Sequence, residues 1–401
     1  MDFNLSDENL QVRDLARRFA DEELRPHVQG WERDGIFPRH VFERLGDLGL
    51  FGAVYPEEYG GTQMGFLNLV LAAEEIGKGS PDLVTAFNMN AMTGTMAILN
   101  FGTPEQRSHY LPQLLSGRKI NSIAITEPGG GSDVLGNMRT TARRDGDAWI
   151  LNGTKIWITM SPVADYCVLF AKTDPDAGHA GVSAFILHYD DPGVSVNRLS
   201  ISPLGGVLIP VGEVVLENVR LPADRLLGNV GEGFTISMNA LDYGRIAVAT
   251  KSLATAQALR EAGIDYARER EAFGKPIGKF QMLQHSIADM VTEIEAGRLL
   301  LYRAAAAFDD PRGVADTRLA AMAKYFLGEV ALRVANSVVE IFGAYSFSDE
   351  YPINRYLNLA LLGRTGEGSA NILRIALADD ALGFRPMDRH AIRGRSLAAQ
   401  S

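Results

Sequence analysis

Apolar residues recur at helical spacing through the first part of the chain. Over residues 10–116 they stand three and four positions apart, as in Val12, Leu15, Ala16 and Phe19. This spacing places apolar side chains on one face of a helix. Gly and Pro residues interrupt the pattern at short intervals, so it predicts several helices and not one long helix.

The period changes between residues 120 and 229. Short stretches rich in β-branched and aromatic residues, such as 166–170, 182–187 and 214–216, are separated by clusters of Gly, Pro, Asn and Asp. This pattern is typical of β-strands joined by turns. No strand candidate is followed by a helical pattern of about ten residues, which argues against a doubly wound α/β sheet.

Helical spacing returns at Gly233 and continues through most of the remaining chain. Four long helical patterns cover about 233–270, 280–309, 315–344 and 367–383, with short joints between them. Four amphipathic helices joined by short loops are typical of a four-helix bundle.

The helical, strand-like and again helical segments predict an α+β protein of three domains. We expect an N-terminal helical domain at 1–120, a middle β-barrel or β-sandwich domain at 121–230 and a C-terminal four-helix bundle at 231–385. Residues 386–401 form a tail with arginines and few large apolar residues, which we expect to run over the surface or to reach a neighbouring subunit. A length of 401 residues is enough for each domain to bury a core.

Composition excludes several classes of protein. With 46% hydrophobic residues and a formal net charge of −10, the chain is ordinary for a globular protein and offers little to a nucleic-acid backbone. Cys167 is the only cysteine, which excludes an internal disulfide and favours a reducing compartment. The histidines form no metal-binding pair, so we expect no metal site. No membrane span, secretion signal or transit peptide is recognisable, and we therefore expect a cytoplasmic protein.

A glycine run in the predicted β domain is the first candidate for ligand binding. Residues 124–133 read AITEPGGGSD. Three consecutive glycines followed by Ser132 let the backbone approach a ligand closely and offer N–H groups and a hydroxyl to an anion or a flat ring. Alone, such a run is more often a tight turn, and it lacks the ending of a phosphate-binding loop.

A second motif follows in the same predicted domain. Residues 151–159 read LNGTKIWIT, in which Asn152-Gly153 predicts a hairpin turn. Trp157 and Thr159 then project to the same face of the following strand. A ring and a hydroxyl side by side suit a flat heteroaromatic ligand, although an ordinary hairpin with a core tryptophan gives the same pattern.

Together the two motifs resemble those of the acyl-CoA dehydrogenase family, whose pattern TEPGxGSD followed by LNGxKxWIT they match nearly letter for letter. Further blocks occur in the family's order. Residues 241–245 resemble LDxxR, 269–281 resemble ERxxFGxPIxxxQ, 340–344 resemble QxxGG, and 366–369 resemble the closing YEGT/S. The likeness spans roughly residues 5–385. It implies an FAD-dependent dehydrogenase with the α, β, α-bundle organisation predicted above.

The resemblance also implies which residues bind FAD. The flavin ring is expected to contact the two β-domain motifs, at Ile125, Thr126, Ser132, Trp157, Ile158 and Thr159. A partner subunit is expected to hold the diphosphate and adenosine through Arg270, Phe273, Gln281, Glu340, Gly343 and Ala344, and Ser369 is a further cofactor position. Glu340 stands where the family usually has glutamine. Because a carboxylate cannot donate a hydrogen bond and repels a phosphate, this contact with FAD is the least secure of the set. Ala344 replaces a glycine and narrows close backbone approach.

The catalytic base implied by the resemblance is Glu367. The reaction needs a base at Cα of a thioester, and a carboxylate serves only if the thioester carbonyl is polarised and water is excluded. Burial is expected to raise its pKa. One branch of the family carries this glutamate at the position of Gly244, so Glu367 is the sole candidate here.

Four residues match positions that meet the substrate in the family: Ser132, Asp242, Arg245 and Gly368. Asp242 and Arg245 correspond to positions near the pantetheine of CoA. The alternative for these two is an ion pair within one helix, which is worth only about 0.2–0.5 kcal/mol.

Two departures from the family bear on the acyl group. Gly366 stands where the family has tyrosine, which predicts a wide pocket for branched, cyclic or aromatic acyl groups. Glutaryl-type relatives hold the second carboxylate of their substrate with an arginine in the helix after Ser80-Pro81. Because no Lys or Arg occurs between Pro81 and Gly102, we do not expect a dicarboxylyl substrate held in that way.

The expected function is FAD-dependent oxidation of an acyl-CoA thioester to the trans-2-enoyl-CoA. A homotetramer that passes electrons to an electron-transfer flavoprotein is implied by the resemblance. The same oxidation of an acyl group on an acyl or peptidyl carrier protein, or an oxygen-linked acyl-CoA oxidase, is the alternative. A non-catalytic or nucleic-acid-associated relative is disfavoured by the retention of Glu367 and by the net charge of −10.

Overall fold

The computed structural model describes residues 4–134, 136–200, 208–309 and 316–387. Its first part is helical, as predicted. The α-helices are α1 Asp7–Phe19, α2 Val28–Asp34, α3 Arg39–Asp47, α4 Phe66–Gly79, α5 Leu83–Asn88, α6 Gly94–Phe101 and α7 Pro104–Leu115. π-helical turns at Ala20–Leu24 and Met89–Thr93 follow α1 and α5. Helix α7 begins with a capping box, in which Thr103 and Gln106 each bond the other's backbone N–H.

The middle part is a single mixed sheet. Its strands are β1 Asn121–Ala124, β2 Thr141–Asp145, β3 Ala148–Thr159, β4 Tyr166–Lys172, β5 Val182–His188, β6 Val194–Arg198, β7 Val211–Pro222 and β8 Leu226–Leu227. The order is β6-β7-β3-β2-β4-β5-β8, with β1 also on β4. Strand β4 pairs in parallel with β1 and β2, and the other neighbours are antiparallel. The sheet encloses its own core, which includes Trp149, Leu169, Phe185 and Leu221.

The predicted hairpin turn at Asn152-Gly153 is wrong. Both residues lie inside β3, and the turn joining β2 to β3 lies at Gly146-Asp147, where Asp145 pairs with Ala148. Gly153 instead marks a register shift against β7. A Cβ built on Gly153 would lie 2.5 Å from Oγ1 and 2.7 Å from Cα of Thr140. A glycine inside a strand is typical of such a bulge with close backbone approach.

The C-terminal part is the predicted bundle, with one correction. Its helices are α8 Gly233–Glu269, α9 Gln281–Phe308, α10 Thr317–Phe342, α11 Ile353–Thr365 and α12 Ala370–Ala381, and a small hairpin, β9 Glu271–Ala272 and β10 Lys275–Pro276, joins α8 to α9. The fourth bundle helix is α11, which packs on α8 and α10, and not the segment 367–383. Ile353 and Ala360 of α11 are fully buried. The segment predicted as the fourth helix contains α12, which packs on α10.

The two helical regions share one continuous core. Helices α4 and α8 pack so closely that a Cβ on Gly77 would lie 2.4 Å from Cβ of Ala254. The domain limits at 120/121 and 230/231 stay a prediction. Most of the predicted tail, with Arg389, Arg393 and Arg395, lies outside the described residues. Within the described part of the chain, no helix is long and apolar enough to cross a bilayer.

We expect Gly153→Ala to destabilise the protein by about 2 kcal/mol or more, because the added methyl meets the backbone of Thr140. Gly146→Ala is the matched control. Gly146 also has a positive φ, of 62°, but a Cβ there meets no atom within 4 Å, so the cost should be about 1 kcal/mol. Urea unfolding of both variants measures the difference. Equal destabilisation would contradict the assignment of Gly153 to a close backbone approach.

Candidate active site

Glu367 lies in the turn between α11 and α12. Its φ of 52° is in the left-handed region, which non-glycine residues seldom adopt. The turn is held at both sides: Gly366 is the C-cap of α11, and α12 is capped by Ser369, whose Oγ accepts the N–H of Ile372 at 3.3 Å. Strain of this kind persists only where the surrounding structure fixes it, and it is concentrated at functional sites.

The carboxylate of Glu367 lies against the backbone of α8 at Gly244. A Cβ built on Gly244 would lie 2.6 Å from Oε2 and 2.7 Å from Cδ of Glu367. Any side chain at position 244 therefore competes with the carboxylate for the same space. Glycine at 244 and glutamate at 367 are complementary parts of one arrangement.

Burial raises the pKa of Glu367 to about 7, although Arg245 and Lys324 act in the opposite direction by favouring its charged form. A carboxyl with this pKa is part ionised at neutral pH. It therefore combines a higher basicity than an exposed glutamate with a sizeable ionised fraction.

Asp242 and Arg245 form the intrahelical ion pair that was the alternative for these residues, and Arg245 also acts electrostatically on Glu367. Arg245 Nη1 donates to Asp242 Oδ1 at 2.5 Å, and Asp242 Oδ2 accepts from Thr317 Oγ1 at 2.9 Å. Nε of Arg245 is buried and has no hydrogen-bond partner within the described ranges. Buried polar atoms are seldom left unpaired, so this N–H is available to a bound group.

A buried ion pair holds the two predicted flavin motifs together. Lys155 of β3 is completely buried, and its Nζ donates to Glu127 Oε1 at 2.8 Å and to Ile125 O at 3.1 Å. The N–H of Ile156 also donates to Thr126 O at 3.0 Å. Burial lowers the pKa of Lys155 to about 8, and Glu127 opposes this shift. The AITEPGGGSD loop is thus fixed to the strand that carries the WIT sequence.

Trp157 and Thr159 lie at the end of β3, on either side of the buried Ile158, and their projection to a common face stays a prediction. Trp157 has a φ of 63° and lies in a second register shift against β7. Its side chain is 57% exposed, whereas Ile158 next to it is buried. Ser132 of the glycine loop is exposed as well. The indole of Trp157 and the hydroxyl group of Ser132 are thus both exposed on the β domain.

The residues predicted to meet FAD from a partner subunit lie near the C-terminal end of α8, the start of α9 and the end of α10. All of them face solvent in the single chain: Arg270, Phe273, Gln281, Glu340, Gly343 and Ala344. Phe273 is 95% exposed, and the guanidinium of Arg270 lies 5.8 Å from the ring of Tyr345. Their role in a second subunit stays a prediction.

Helix α5 lies beside α8, close to Gly244. Asn88 Nδ2 donates to Ala247 O at 2.9 Å, and Ala247 follows Gly244 by about one turn. Asn88 Oδ1 and Thr85 Oγ1 are buried without a hydrogen-bond partner among the described residues. This part of α5 therefore offers neutral polar atoms and no positive charge.

Lys324 of α10 is the residue of this site that motif reasoning missed. Its side chain is fully buried, and its Nζ donates to the carbonyl oxygens of Arg364 and Gly368. The available signal was a single lysine in the apolar run AAMAKYFLG, at a position that the helical period assigns to the core.

Two other groups have the residue types of a functional site, the cluster around His188 and the thiol of Cys167. His188, Asp190 and Asp191 lie close enough to hold a metal ion. However, both ring nitrogens of His188 already have partners, Tyr110 Oη at 3.0 Å and the cationic Arg225 at 2.9 Å. Burial raises the pKa of the Cys167 thiol to about 11, so it stays protonated and unreactive.

Comparison with protein families identifies three matching segments. The N-terminal, middle and C-terminal domains of acyl-CoA dehydrogenase match residues 6–118, 122–219 and 231–382. Together these matches cover most of the chain.

Individual relatives match over nearly their full length. The chain is 41% identical to a glutaryl-CoA dehydrogenase of Desulfococcus multivorans, over 97% of this chain and 100% of that protein. It is 35% identical to subunit CarC of the caffeyl-CoA reductase–Etf complex of Acetobacterium woodii, over 93% and 98% of the two chains. A glutaryl-CoA dehydrogenase from Mycobacterium smegmatis, solved in complex with FADH2, superposes with a TM-score of 0.87 at 29% identity, covering 94% of this chain and 95% of that one.

We expect Lys155→Met to destabilise the protein by about 3–5 kcal/mol, because it leaves the carboxylate of Glu127 buried without its counter-ion. The double variant Lys155→Met/Glu127→Gln should recover part of this loss, since it removes the charge and keeps one acceptor oxygen for the backbone N–H of Arg139 or Thr140. Guanidinium unfolding measures all variants.

Arg220→Met is the control for the loss of a surface ion pair, because Arg220 and its partner Asp145 are half exposed. Its cost should stay below about 1 kcal/mol. Similar costs for Lys155→Met and Arg220→Met would contradict a structural role for the buried pair.

Proposed function

Because the chain belongs to the acyl-CoA dehydrogenase family of FAD-dependent oxidoreductases, we propose that it oxidises an acyl-CoA thioester to the trans-2-enoyl-CoA. The observation that carries the proposal is the buried carboxylate of Glu367, held against Gly244 with a pKa of about 7. Such a group is suited to remove a proton from the carbon next to a thioester carbonyl.

The exposed groups of the β domain fit a flavin. A Cβ built on Gly129 or Gly131 meets no atom within 4 Å, so the glycine loop leaves its surface open to a ligand. The exposed indole of Trp157 offers a flat apolar surface. We propose that this region holds the flavin ring through Ile125, Thr126, Ser132, Trp157, Ile158 and Thr159. When bound, FAD accepts a hydride from Cβ of the substrate.

We propose that a second subunit holds the rest of FAD, in a homotetramer. The residues concerned are Arg270, Phe273, Gln281, Glu340, Gly343 and Ala344, with Ser369 as a further cofactor position. The arginine suits a diphosphate by charge and geometry. Glu340 is the weakest member of the set, because its carboxylate repels phosphate and cannot donate a hydrogen bond.

In the proposed reaction, Glu367 removes the proton at Cα. Its own backbone N–H donates to the thioester carbonyl and stabilises the negative charge that develops there. Arg245 and Lys324 keep a fraction of the carboxylate ionised despite its burial. The proton moves to a carboxylate oxygen of Glu367, and the electron pair of the Cα–H bond forms the second bond between Cα and Cβ. The hydrogen at Cβ then leaves with its bonding pair as the hydride that bound FAD would accept.

We propose that Asp242, Arg245, Ser132 and Gly368 contact the substrate, with the first two near the pantetheine of CoA. The unpaired Nε–H of Arg245 supports this assignment, because a carbonyl of the pantetheine would satisfy it. Electron transfer to an electron-transfer flavoprotein is supported by the 35% identity to a subunit of an Etf complex.

We propose a monocarboxylic acyl group with branched, cyclic or aromatic structure. Gly366 carries no side chain next to the base, which leaves room for a bulky group. Residues 81–102 contain no Lys or Arg, and Leu83 and Val84 of α5 are buried and apolar. A second carboxylate would therefore find only neutral partners on α5, even though the Desulfococcus relative is named for glutaryl-CoA.

Anaerobic addition of acyl-CoA thioesters to the FAD-loaded protein tests the substrate class. We expect branched, cyclic or aromatic acyl-CoA to bleach the visible flavin band, and glutaryl-CoA to leave it unchanged. Gly366→Tyr should reduce bleaching by bulky substrates more than by short straight ones, because the phenol ring refills the space. Preferential bleaching by glutaryl-CoA or by straight chains alone would contradict the proposed class, and a band bleached by no free thioester would favour a carrier-protein substrate.

Glu367→Gln should slow reduction of the flavin by about 10²–10⁴-fold, because an amide cannot accept the α-proton. In the unmodified protein the rate should rise as the pH increases through about 7, since burial raises the pKa of Glu367 to that value and only the ionised form is a base. Stopped-flow absorbance at several pH values measures both effects. Glu293→Gln, which alters a partly exposed carboxylate paired with Arg333, is the control and should change neither the rate nor its pH dependence.

A further inference from the structure

A buried lysine spans the turn that carries Glu367. Nζ of Lys324 lies 3.4 Å from the carbonyl oxygen of Arg364, in the last turn of α11, and 2.5 Å from that of Gly368, directly after Glu367. One ammonium group from α10 thus holds the chain on both sides of the strained residue. Neither carbonyl belongs to α10, so the contact has no role in the helix that carries the lysine.

Burial of the Lys324 amine costs desolvation free energy. Lys324 is fully buried, and a charged amine loses its hydration there. Its compensation comes from the carbonyl groups at the C-terminal end of α11, where a cation is favourable, and from the carboxylate of Glu367. A methionine or leucine would fill the same space without this desolvation. The amine is therefore suited to a role at the turn and not to packing alone.

We propose that Lys324 is a positioning residue for Glu367: it holds the turn so that the carboxylate stays against Gly244, and its charge favours the ionised carboxylate. This inference rests on the proposed function for the reaction that it serves. The inference is supported by the hydrogen bonds that the amine donates to carbonyl groups on both sides of residue 367.

The charges around this pair come from three elements. Arg245 on α8 favours the ionised form of Glu367, and burial lowers the pKa of Lys324 to about 8 while Glu367 raises it. Glu329 on α10 also acts on Lys324, and it pairs with Arg364 at 2.9 Å. Lys251 on α8 lies near enough for Lys324 to lower its pKa.

Lys324→Met tests the proposal, and Lys251→Met is its matched control. Lys251 is a second buried lysine of the bundle, but its Nζ donates to the carbonyl of Leu359 inside α11 and not to the turn. Infrared spectroscopy of the FAD-loaded protein can follow the carboxyl band of Glu367 during a pH titration, with the band identified by its loss in Glu367→Gln. This readout needs no turnover, so it tests Lys324 even if the proposed reaction is wrong.

We expect Lys324→Met to raise the titration midpoint of Glu367 by about one pH unit, which corresponds to about a tenfold smaller ionised fraction below the midpoint. At neutral pH kcat should fall by about fivefold or more and recover in part as the pH rises, with little change in KM. Lys251→Met should leave the midpoint and the pH profile of kcat unchanged.

Lys324→Gln separates the hydrogen bonds to the turn from the effect of the positive charge. It also replaces Lys324→Met in the test if that variant does not fold. It keeps a donor for the carbonyl groups but removes the charge, so it should raise the midpoint while preserving more of kcat at high pH than Lys324→Met. An unchanged midpoint in a folded Lys324 variant would overturn the proposal. A loss of thermal stability equal to that of Lys251→Met, with no change in the pH profile, would assign Lys324 a structural role alone.

Discussion

The contact between the Glu367 carboxylate and the backbone of α8 at Gly244 is the constraint on which the site depends. It requires a glycine at 244, because a Cβ there would lie 2.6 Å from Oε2. It also requires a left-handed residue at 367, between the end of α11 and the cap of α12. The bundle supplies these conditions. Helix α8 provides the backbone surface against which the carboxylate lies, the connection between α11 and α12 provides the turn, and α10 provides the lysine that holds this turn. The buried position then gives the carboxyl a pKa near neutrality.

In the β domain a buried ion pair fixes the loop geometry. The glycine loop and the WIT strand are fixed to one another by the buried pair of Lys155 and Glu127. In both the β domain and the bundle, a buried lysine donates to a backbone carbonyl oxygen next to a segment that we propose binds FAD or substrate. Such contacts tie the functional loops to the rigid elements of the fold, which is a condition for precise positioning of reacting groups. The loops themselves stay free to present their other atoms to a ligand.

The sequence predicted much of this arrangement, and its failures have physical reasons. The change of period located the β region, and the predicted limits 233–270 and 280–309 agree closely with Gly233–Glu269 and Gln281–Phe308. Asn152-Gly153 has the local chemistry of a hairpin, but pairing with β7 and the approach of Thr140 make it a bulge. Helix α11 was missed, although Pro352 and the spacing of Ile353, Leu357 and Ala360 were available signals. The role of Lys324 depends on a contact between α10 and a turn 40 or more residues away, which no local pattern contains.

We propose that Glu367 removes the α-proton of a bound thioester. The most direct measurement is the exchange of that proton for deuterium in D2O, followed by NMR with an acyl-CoA that binds but is not oxidised. We expect rapid exchange at Cα with the unmodified FAD-loaded protein and loss of exchange with a Glu367→Gln variant that still binds FAD and the thioester. Exchange at an equal rate in Glu367→Gln would contradict this role of the carboxylate.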